Sequence, residues 1–598
     1  MLMRVLYLRS GATTFIREQF EGPMLGKRSL QDSLFGCDQR FRDLVGAKSF
    51  YVYLADHRHE LFRDEDFASL YCPDNGRMSI PPSVLAVALL LQWYDDVADE
   101  EAARRAKLDL SWKVALGIEL MDVPFVKSVL CEFRNKLIIH KQQKHFFDLS
   151  LKHARTQGFF KSRNIQIALD TTPIFGRGAV EDTYNMLAEA LRLLIDALGA
   201  FARASAEEFA RQHDLSRYVM AKSFKGSFSC IDWDNADERQ SVLECLVADC
   251  GRTLLLAQEA LAGNETQDSP ESAEIVKAST LLRRLLAQDV ERTNTGAAKI
   301  TQGVAQDRIV SVHDTQMRHG RKSASQCFNG YKGALAVEVS SQIITAIDTL
   351  PANAHDSTDA QSLIEQSAEK TGLTVTAVIG DGAYGTIEAR LDAQEADIPY
   401  SLVAPVAEAP RTGRFTKEDF QIDLEHSKVR CPAGETTRTY VGRTEKKRSG
   451  RTIAYRSFRF SPKQCGPCVL RSQCIKQNTP YRSVLVHEHE RLVAEARAFQ
   501  RTDIFRTVYK ERVTVEHRIA RLMRFGARQA RYFGSSKVLF QFAMAAALAN
   551  LTLIASHAQN GLFIFFACTL LLILALADRS RITYAALRHP VQRDRTFS

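Results

Sequence analysis

Two aspartates in this sequence occupy positions from which a carboxylate can do chemistry. Asp170 follows the apolar run 165–169, and Asp381 follows a second apolar run over 374–380. Both runs are typical of buried β-strands. In open α/β sheets, functional sites gather at the carboxyl ends of the strands. The two carboxylates are therefore expected to face one crevice, although they lie far apart in the sequence.

A third carboxylate, Glu516, belongs to a segment predicted to be helical over 503–530. Tyr509, Arg512 and Glu516 are spaced 3 and 4 apart, so they share one helix face. Arg512 can steady Glu516 or contact a phosphate. The neighbouring face carries the predicted core stripe of Val508, Val515, Ile519 and Leu522.

Three carboxylates predict a site for divalent metal. Mg²⁺ (or Mn²⁺) prefers oxygen ligands, and a pair of such ions can activate a water or a 3′-hydroxyl and stabilise the leaving oxygen. The alternative is structural. In that interpretation Asp170 and Asp381 only cap strand ends, and Glu516 pairs with Arg512 or Arg518.

Other acids compete for two of these positions. Asp314 and the nearby Asp307 are rivals for the first carboxylate, but Asp170 is preferred because it ends an apolar strand. Glu511 is the rival for the third carboxylate. It lies half a turn off the helix face that carries Glu516.

Charge is distributed unevenly along the 598 residues. Residues 411–540 hold 29 Lys or Arg and 12 Asp or Glu, a balance of +17, whereas the remainder holds 50 basic and 58 acidic residues. A basic region on an otherwise acidic chain predicts a polyanion partner, and a solubilising face is the alternative. Lys446, Lys447 and Arg448 are the predicted DNA contacts within this region.

Four cysteines of the same region are candidate metal ligands, and the first pair of the cluster, Cys465 and Cys468, has metal-ligand spacing. Cys465, Cys468 and Cys474 follow one another closely, and Cys431 precedes them. Four thiolates can hold a structural Zn²⁺ tetrahedrally. The alternative is four reduced thiols in a loop insertion. The residues after Met1 form a poor secretory signal, which favours reduced thiols or metal ligands over disulfides.

Composition and segment patterns predict an α/β protein with several cores. Hydrophobic residues make up 45% and charged residues 25% of the chain, which excludes a mostly disordered, collagen-like or coiled-coil protein. The predicted organisation is an N-terminal extension (1–40), a helical N-terminal domain (41–155), a catalytic core (160–181, 300–407 and 495–555), a helical insertion (182–299), a basic cysteine-containing insertion (408–494) and a hydrophobic tail (556–598).

Several motifs give the chain a specific resemblance. It resembles the DDE transposases of bacterial insertion sequences, and insertion sequence family eleven eighty-two in particular. The matching stretches are Ser79-Ile80-Pro81-Pro82 and 112–117 near the N-terminus, 169–174 with 176–180 and 182–185, 308–314 with 319–322 and Gly330-Tyr331-Lys332, Asp381-Gly382-Ala383-Tyr384-Gly385, and Tyr509-x2-Arg512-x3-Glu516.

The resemblance implies an RNase H-like mixed sheet core with catalytic, metal-binding Asp170, Asp381 and Glu516. It also implies a divalent metal cofactor, double-stranded DNA with terminal inverted repeats as substrate, and strand transfer into target DNA after cleavage. One departure is Met523, where the family commonly has a Lys seven residues after the Glu. Arg521 or Arg524 is the candidate replacement.

The resemblance adds Lys332, Tyr509 and Arg512 as expected DNA contacts. It also predicts a homo-oligomer on DNA in the cytoplasm, associated with the nucleoid. Two rival functions stay open, a DNA-binding protein that has lost catalysis and a nuclease that never joins ends. The 17-residue uncharged stretch 561–577 is expected to be a buried or aberrant tail, with a membrane span as the alternative.

Overall fold

The computed structural model describes residues 25–28, 36–73, 78–221, 223–262, 269–303, 305, 307–322, 325–406, 413–447 and 450–558. The predicted tail stretch 561–577 and Arg448 lie outside these residues, as does most of the predicted N-terminal extension. The described part is a mixed α/β protein with a curled mixed sheet and many helices.

The N-terminal region is helical. Helix α6 illustrates how single residues define the two ends of a helix. Asp109 caps it by accepting a hydrogen bond from the Ser111 amide at 2.8 Å, and Gly117 ends it in the left-handed conformation. The helices are α1 (Cys37–Arg40), α2 (Arg42–Val45), α3 (Phe50–Leu61), α4 (Pro82–Tyr94), α5 (Asp99–Leu108), α6 (Leu110–Leu116), α7 (Lys127–Ile139) and α8 (His145–Thr156), with a 3₁₀ turn at Asp64–Leu70.

The helical insertion predicted between the two aspartates is present as helices with a hydrophobic core of their own. Ser269 caps one of them, with a proline in the first turn. The insertion comprises α9 (Thr183–Phe201), α10 (Ala206–Gln212), α11 (Ser216–Val219), α12 (Phe224–Ser227), α13 (Ala236–Ala262) and α14 (Pro270–Asp289).

A six-stranded sheet forms the centre of the molecule. Its order is β6-β5-β1-β7-β8, and β4 pairs with the first residues of β5. Strands β1, β5 and β6 are antiparallel, whereas β7 and β8 run parallel to β1. The strands are β1 (Asn164–Phe175), β4 (Arg318–Arg321), β5 (Cys327–Glu338), β6 (Ile344–Pro351), β7 (Thr374–Ile379) and β8 (Ser401–Val403), while β2 (Val290–Arg292) and β3 (Ala298–Ile300) form a separate ladder.

The prediction that the first strand ends at Asp170 is wrong. Pairing of β1 with β7 reaches its last residues at Ala168 and Ile379, but pairing with β5 continues to Phe175. Because β5 supplies backbone partners beyond the end of β7, the strand persists and Asp170 lies in its interior. Strands β5 and β6 pair as an antiparallel hairpin.

Helices cover both faces of the sheet. Ile167 and Leu169 pack in one hydrophobic cluster with α15, and Ala168 packs in the other cluster with α21, α22 and the N-terminal helices. The helices that follow β6 along the chain are α15 (Ala360–Thr371), α16 (Ile387–Glu395), α17 (Pro462–Cys465), α18 (Arg471–Cys474), α19 (Glu490–Gln500), α20 (Asp503–Lys510), α21 (Val513–Arg524) and α22 (Ser535–Ala558). Of these, α17 and α18 belong to the basic insertion and not to the layers on the sheet.

The single helix predicted over 503–530 is instead two helices, α20 and α21. The chain bends at Glu511 and Arg512, and α21 ends at Arg524. Gly526, with a φ of 76°, follows this end. The left-handed conformation favours glycine and commonly follows a helix end, so the helical pattern stops before residue 530.

Helix α22 is long and apolar enough to cross a membrane by length and composition, and 83% of its apolar window is buried inside the protein. It packs directly on the sheet. A Cβ atom at Gly333 of β5 would lie 2.6 Å from the Phe542 ring, so only glycine permits this approach. Buried Asn550 exchanges two 2.9 Å hydrogen bonds with the backbone of Ile344. The helix is therefore a core element here.

The basic insertion forms a module of small sheets, called here the cysteine module (413–447 and 450–490). It contains two three-stranded antiparallel sheets. Its hydrophobic cluster comprises six buried side chains, Phe420, Val429, Phe458, Phe460, Val484 and Val486. The strands are β9 (Gln421–Asp423), β10 (Lys428–Arg430), β11 (Thr436–Thr437), β12 (Tyr440–Lys446), β13 (Thr452–Arg459) and β14 (Ser483–His487).

Candidate active site

The sheet register brings Asp170 and Asp381 together. Ala168 of β1 and Ile379 of β7 form the last pair of the parallel ladder, and each aspartate comes two residues later. The Asp381 carboxylate accepts a 2.9 Å hydrogen bond from the Ala383 amide, which fixes the turn after β7. Two acidic side chains consequently lie side by side at one end of the parallel pair.

Asp170 is largely buried, with 19% of its side chain exposed. Strand alternation places it on the same face as Ala168, which is the face that α21 covers. Burial raises the pKa of Asp170 to about 6. The Thr171 amide and the Arg512 guanidinium oppose this shift, whereas the charges of Asp381 and Asp356 add to it. The site therefore holds more acid than its cations compensate.

Arg512 links the two sides of the site. Its Nη1 donates to Asp170 Oδ2 at 3.1 Å, and its Nη2 donates to Glu516 Oε1. Burial acts to lower the pKa of Arg512, but the nearby carboxylates of Asp170 and Glu516 raise it overall. The guanidinium is thus a fixed positive charge between two of the three predicted carboxylates. Tyr509, one turn earlier, stacks on Phe505 with ring centroids 5.4 Å apart.

A fourth carboxylate, Asp356, belongs to this cluster and was missed in the sequence. It accepts hydrogen bonds from Thr171 Oγ1 at 2.8 Å and from Lys332 Nζ at 2.7 Å. The sequence feature that could have identified Asp356 is its position shortly after the end of β6, because Asp381 likewise follows the end of β7. Lys332 is buried and also donates to the Ala354 carbonyl, so it lies within the site rather than on a DNA-facing surface.

Tyr384 is the second residue that sequence reasoning missed as a site residue. It is 1% exposed, and its hydroxyl has no hydrogen-bond partner among the described residues. Burial raises its pKa well above the ordinary value, and Asp170, Asp356 and Asp381 raise it further. An unpaired hydroxyl donor is therefore held next to the acidic cluster. The motif Asp381-Gly382-Ala383-Tyr384 was the available signal.

The rival acids have structural partners. Asp314 is buried and accepts hydrogen bonds from the Tyr331 hydroxyl at 2.6 Å and from the Gly534 amide at 3.2 Å. Asp307 pairs with Arg318, which lowers its pKa. Glu511 is exposed at the bend between α20 and α21. Asp314 and Asp307 are thus held by structural contacts, whereas Glu511 and Glu516 are both exposed.

The predicted DNA contacts are scattered over the surface. Lys446 is exposed on β12, a strand with every residue exposed, and Lys447 pairs with Glu445 at 3.1 Å. Arg524 is exposed at the end of α21, and the Arg521 guanidinium lies 4.8 Å from the centre of the Phe525 ring. Lys446 and Arg524 are therefore accessible to a phosphate backbone, whereas Lys447 is half-buried.

The four predicted zinc ligands line one cavity. Cys431, Cys465, Cys468 and Cys474 surround about 30 Å³ of space in the cysteine module. Burial raises the pKa of Cys474, and the other three thiols add smaller effects in the same direction. Across the described residues, no group of three or more His, Cys, Asp or Glu side chains is arranged to hold a metal ion.

The acidic site has a specific reason for this, because the Arg512 side chain lies between the carboxylates of Asp170 and Glu516.

Two family models match the chain. Residues 39–136, which include α1 to most of α7, match a family described as "Transposase domain (DUF772)". Residues 430–555 match a family described as "Transposase DDE domain". The second match contains the four cysteines, Arg512, Glu516 and most of α22, whereas Asp170 and Asp381 lie between the two matches.

Together the two matches indicate a DDE-type transposase family and support a transposase role. No curated protein and no solved structure shows a significant match to the chain.

Proposed function

We propose that the protein is a metal-dependent transposase that cleaves DNA at the ends of an insertion sequence and joins those ends to target DNA. The observation that carries this proposal is the convergence of three elements, β1, β7 and α21, on one site. The β1–β7 register aligns Asp170 with Asp381, and Arg512 connects Asp170 to Glu516. The match of 430–555 to a DDE domain supports the assignment of Glu516.

The catalytic core is proposed to be RNase H-like and a member of family eleven eighty-two. The strand order β6-β5-β1-β7-β8 supports this proposal. Three antiparallel strands are followed by two parallel ones, with the long β1 in the middle. The predicted division into the domains 41–155, 182–299 and 408–494 around this core is kept as part of the proposal.

The donor set suits Mg²⁺ or Mn²⁺. Asp170, Asp381 and Glu516 offer only oxygen atoms, which these ions prefer. Burial raises the pKa of Asp170, and the charges of Asp381 and Asp356 raise it further, so a bound cation would stabilise the ionised carboxylate, which supports the fit. When bound, divalent ions would activate the attacking water or 3′-hydroxyl and stabilise the leaving oxygen.

The remaining residues position this site. Lys332 neutralises Asp356, which in turn anchors Thr171 beside Asp170. Arg512 pairs with both Asp170 and Glu516 and offsets part of their charge, and it can pair with a substrate phosphate once DNA and metal are bound. The Tyr384 hydroxyl can donate a hydrogen bond into the cluster.

Double-stranded DNA with terminal inverted repeats is the proposed substrate. The +17 balance of residues 411–540 supports a polyanion partner, and the exposed strand β12 presents Lys446, with Lys447 directly after it. We propose a homo-oligomer on DNA, located in the cytoplasm and associated with the nucleoid. The family commonly has a lysine at the position of Met523. We propose that Arg521 and Arg524 take over the DNA contact of that lysine.

The test is cleavage of labelled DNA taken from the flanks of the gene. Cleavage and strand transfer should require Mg²⁺ or Mn²⁺ and stop in EDTA. Asp381→Asn and Glu516→Gln should each abolish both steps while DNA binding persists, since binding is assigned to the basic region. Glu511→Gln is the matched control and should stay active. Wild-type cleavage by both Asp381→Asn and Glu516→Gln would refute the proposal.

A further inference from the structure

The four cysteines of the cysteine module come from separate segments that meet at one point. Cys431 follows β10, Cys465 is the last residue of α17, Cys474 is the last residue of α18, and Cys468 lies in the turn between these helices. All four line the same cavity of about 30 Å³. Cys465, Cys468 and Cys474 lie close together in the sequence, whereas Cys431 is brought to them by the fold.

Hydrogen bonds hold the cysteine-bearing segments against each other. Gln464, next to Cys465, donates to Glu435 Oε2 at 3.0 Å and to the Thr436 carbonyl at 3.1 Å. These bonds tie α17 to the turn that begins at Cys431. That turn closes through Gly434, whose φ of 91° suits glycine, and through a 2.8 Å bond from the Cys431 amide to the Glu435 carbonyl.

Two arginines tie down the other side of the cavity. Arg471 donates to the Cys465 carbonyl at 3.0 Å, and Arg482 donates to the Cys474 carbonyl at 3.0 Å. Metal-ligating residues are commonly oriented by such outer contacts. The cysteine backbones are thus fixed by bonds that do not use the thiols, and the thiols stay available as ligands.

The size of the cavity limits its occupant. About 30 Å³ of water-accessible space between the four thiols is enough for a single ion. Four thiolates without other ligands favour zinc, which takes tetrahedral sulfur sites. Within the described residues every cysteine is a free thiol, so no disulfide competes for these side chains.

The module also needs a stabilising link. Its hydrophobic cluster of six buried side chains serves about 75 residues, and small cores of this kind usually depend on a metal or disulfides. We propose that Cys431, Cys465, Cys468 and Cys474 bind one structural Zn²⁺ ion that stabilises the cysteine module. The thiols are not at ligand geometry as they stand. Binding therefore requires the four thiols to turn toward one point on the backbone frame that the module's hydrogen bonds hold.

The experiment uses the full chain, purified under reducing conditions without chelator. Elemental analysis should find about one zinc per chain, and X-ray absorption should show four sulfur ligands at about 2.3 Å. Removing zinc with a chelator should expose four additional thiols to a thiol reagent. It should also raise amide exchange across the cysteine module, because structural zinc contributes folding energy.

Variants separate ligation from mere packing. Cys474→Ser should lose zinc, whereas Cys474→His should keep it, since histidine is also a zinc ligand. Cys230→Ser changes an exposed cysteine of the helical insertion and is the matched control with full zinc content. A normally folded wild type that lacks zinc, or contains iron in its place, would overturn the proposal. DNA cleavage is not a readout, so failure here would leave the proposed transposase function intact.

Discussion

Replacing Asp170 by Asn should stabilise the metal-free protein while abolishing cleavage. The pKa of Asp170 is raised from 3.8 to about 6, so ionised Asp170 costs the folded state roughly 2 × 1.4, or about 3 kcal/mol, as an upper bound at pH 7.5. Asparagine keeps the shape without that charge. The gain in unfolding free energy should therefore approach this value in EDTA.

The raised pKa of Asp170 also determines how the stability of the protein changes with pH. A carboxyl whose folded-state pKa exceeds its unfolded value binds protons more tightly when the protein is folded, so stability falls as pH rises. For Asp170 this loss occurs between about pH 4 and pH 6. Wild type and Asp170→Asn should consequently be alike near pH 4 and differ fully above pH 6.

Asp314→Asn is the matched control, because it neutralises another buried aspartate with the opposite expected effect. Asp314 accepts hydrogen bonds from the Tyr331 hydroxyl and the Gly534 amide. Hydrogen bonds to a charged acceptor contribute about 1.5–3 kcal/mol, so this variant should be destabilised by roughly that amount. It should retain cleavage activity, since Asp314 has a structural role.

The assay is denaturant unfolding of the full chain in EDTA at several pH values, with amide exchange of β1 and β5 reporting on the core. Cleavage is measured separately with Mg²⁺. The reasoning is refuted if Asp170→Asn destabilises the protein at pH 7.5, or if its effect does not change between pH 4 and pH 7.5.

Three further predictions concern other parts of the molecule. Changing both Lys446 and Lys447 to Glu should weaken binding equally for all DNA sequences and reduce the salt slope by about 0.9 for each phosphate that is no longer neutralised, as measured by titration at several salt concentrations. Arg512→Ala should raise the pKa of Asp170 further, which would move the stability loss to higher pH in unfolding experiments. A chain ending at Ala558 should keep its fold and cleavage activity, because every proposed site residue precedes it, and loss of activity in that variant would contradict this.

The sequence by itself determined the local features of the protein. Apolar runs predicted β7 and the first part of β1, and helical spacing predicted the helices within 503–530. These elements depend on neighbouring residues, so their signals are local. The basic balance of 411–540 and the cysteine spacing are likewise properties of the chain alone. The carboxylates Asp170, Asp381 and Glu516 were identified from such patterns and from motif resemblance.

The tertiary structure decided which of these residues meet. The extension of β1 past Asp170 depends on β5, a strand more than 150 residues away. The Lys332–Asp356 pair and the buried Tyr384 hydroxyl depend on loops that only the folded sheet brings to Asp170. The Arg512 bridge requires α21 to pack across β1. Such contacts arise from register and packing between distant segments, and no local pattern in the sequence encodes them.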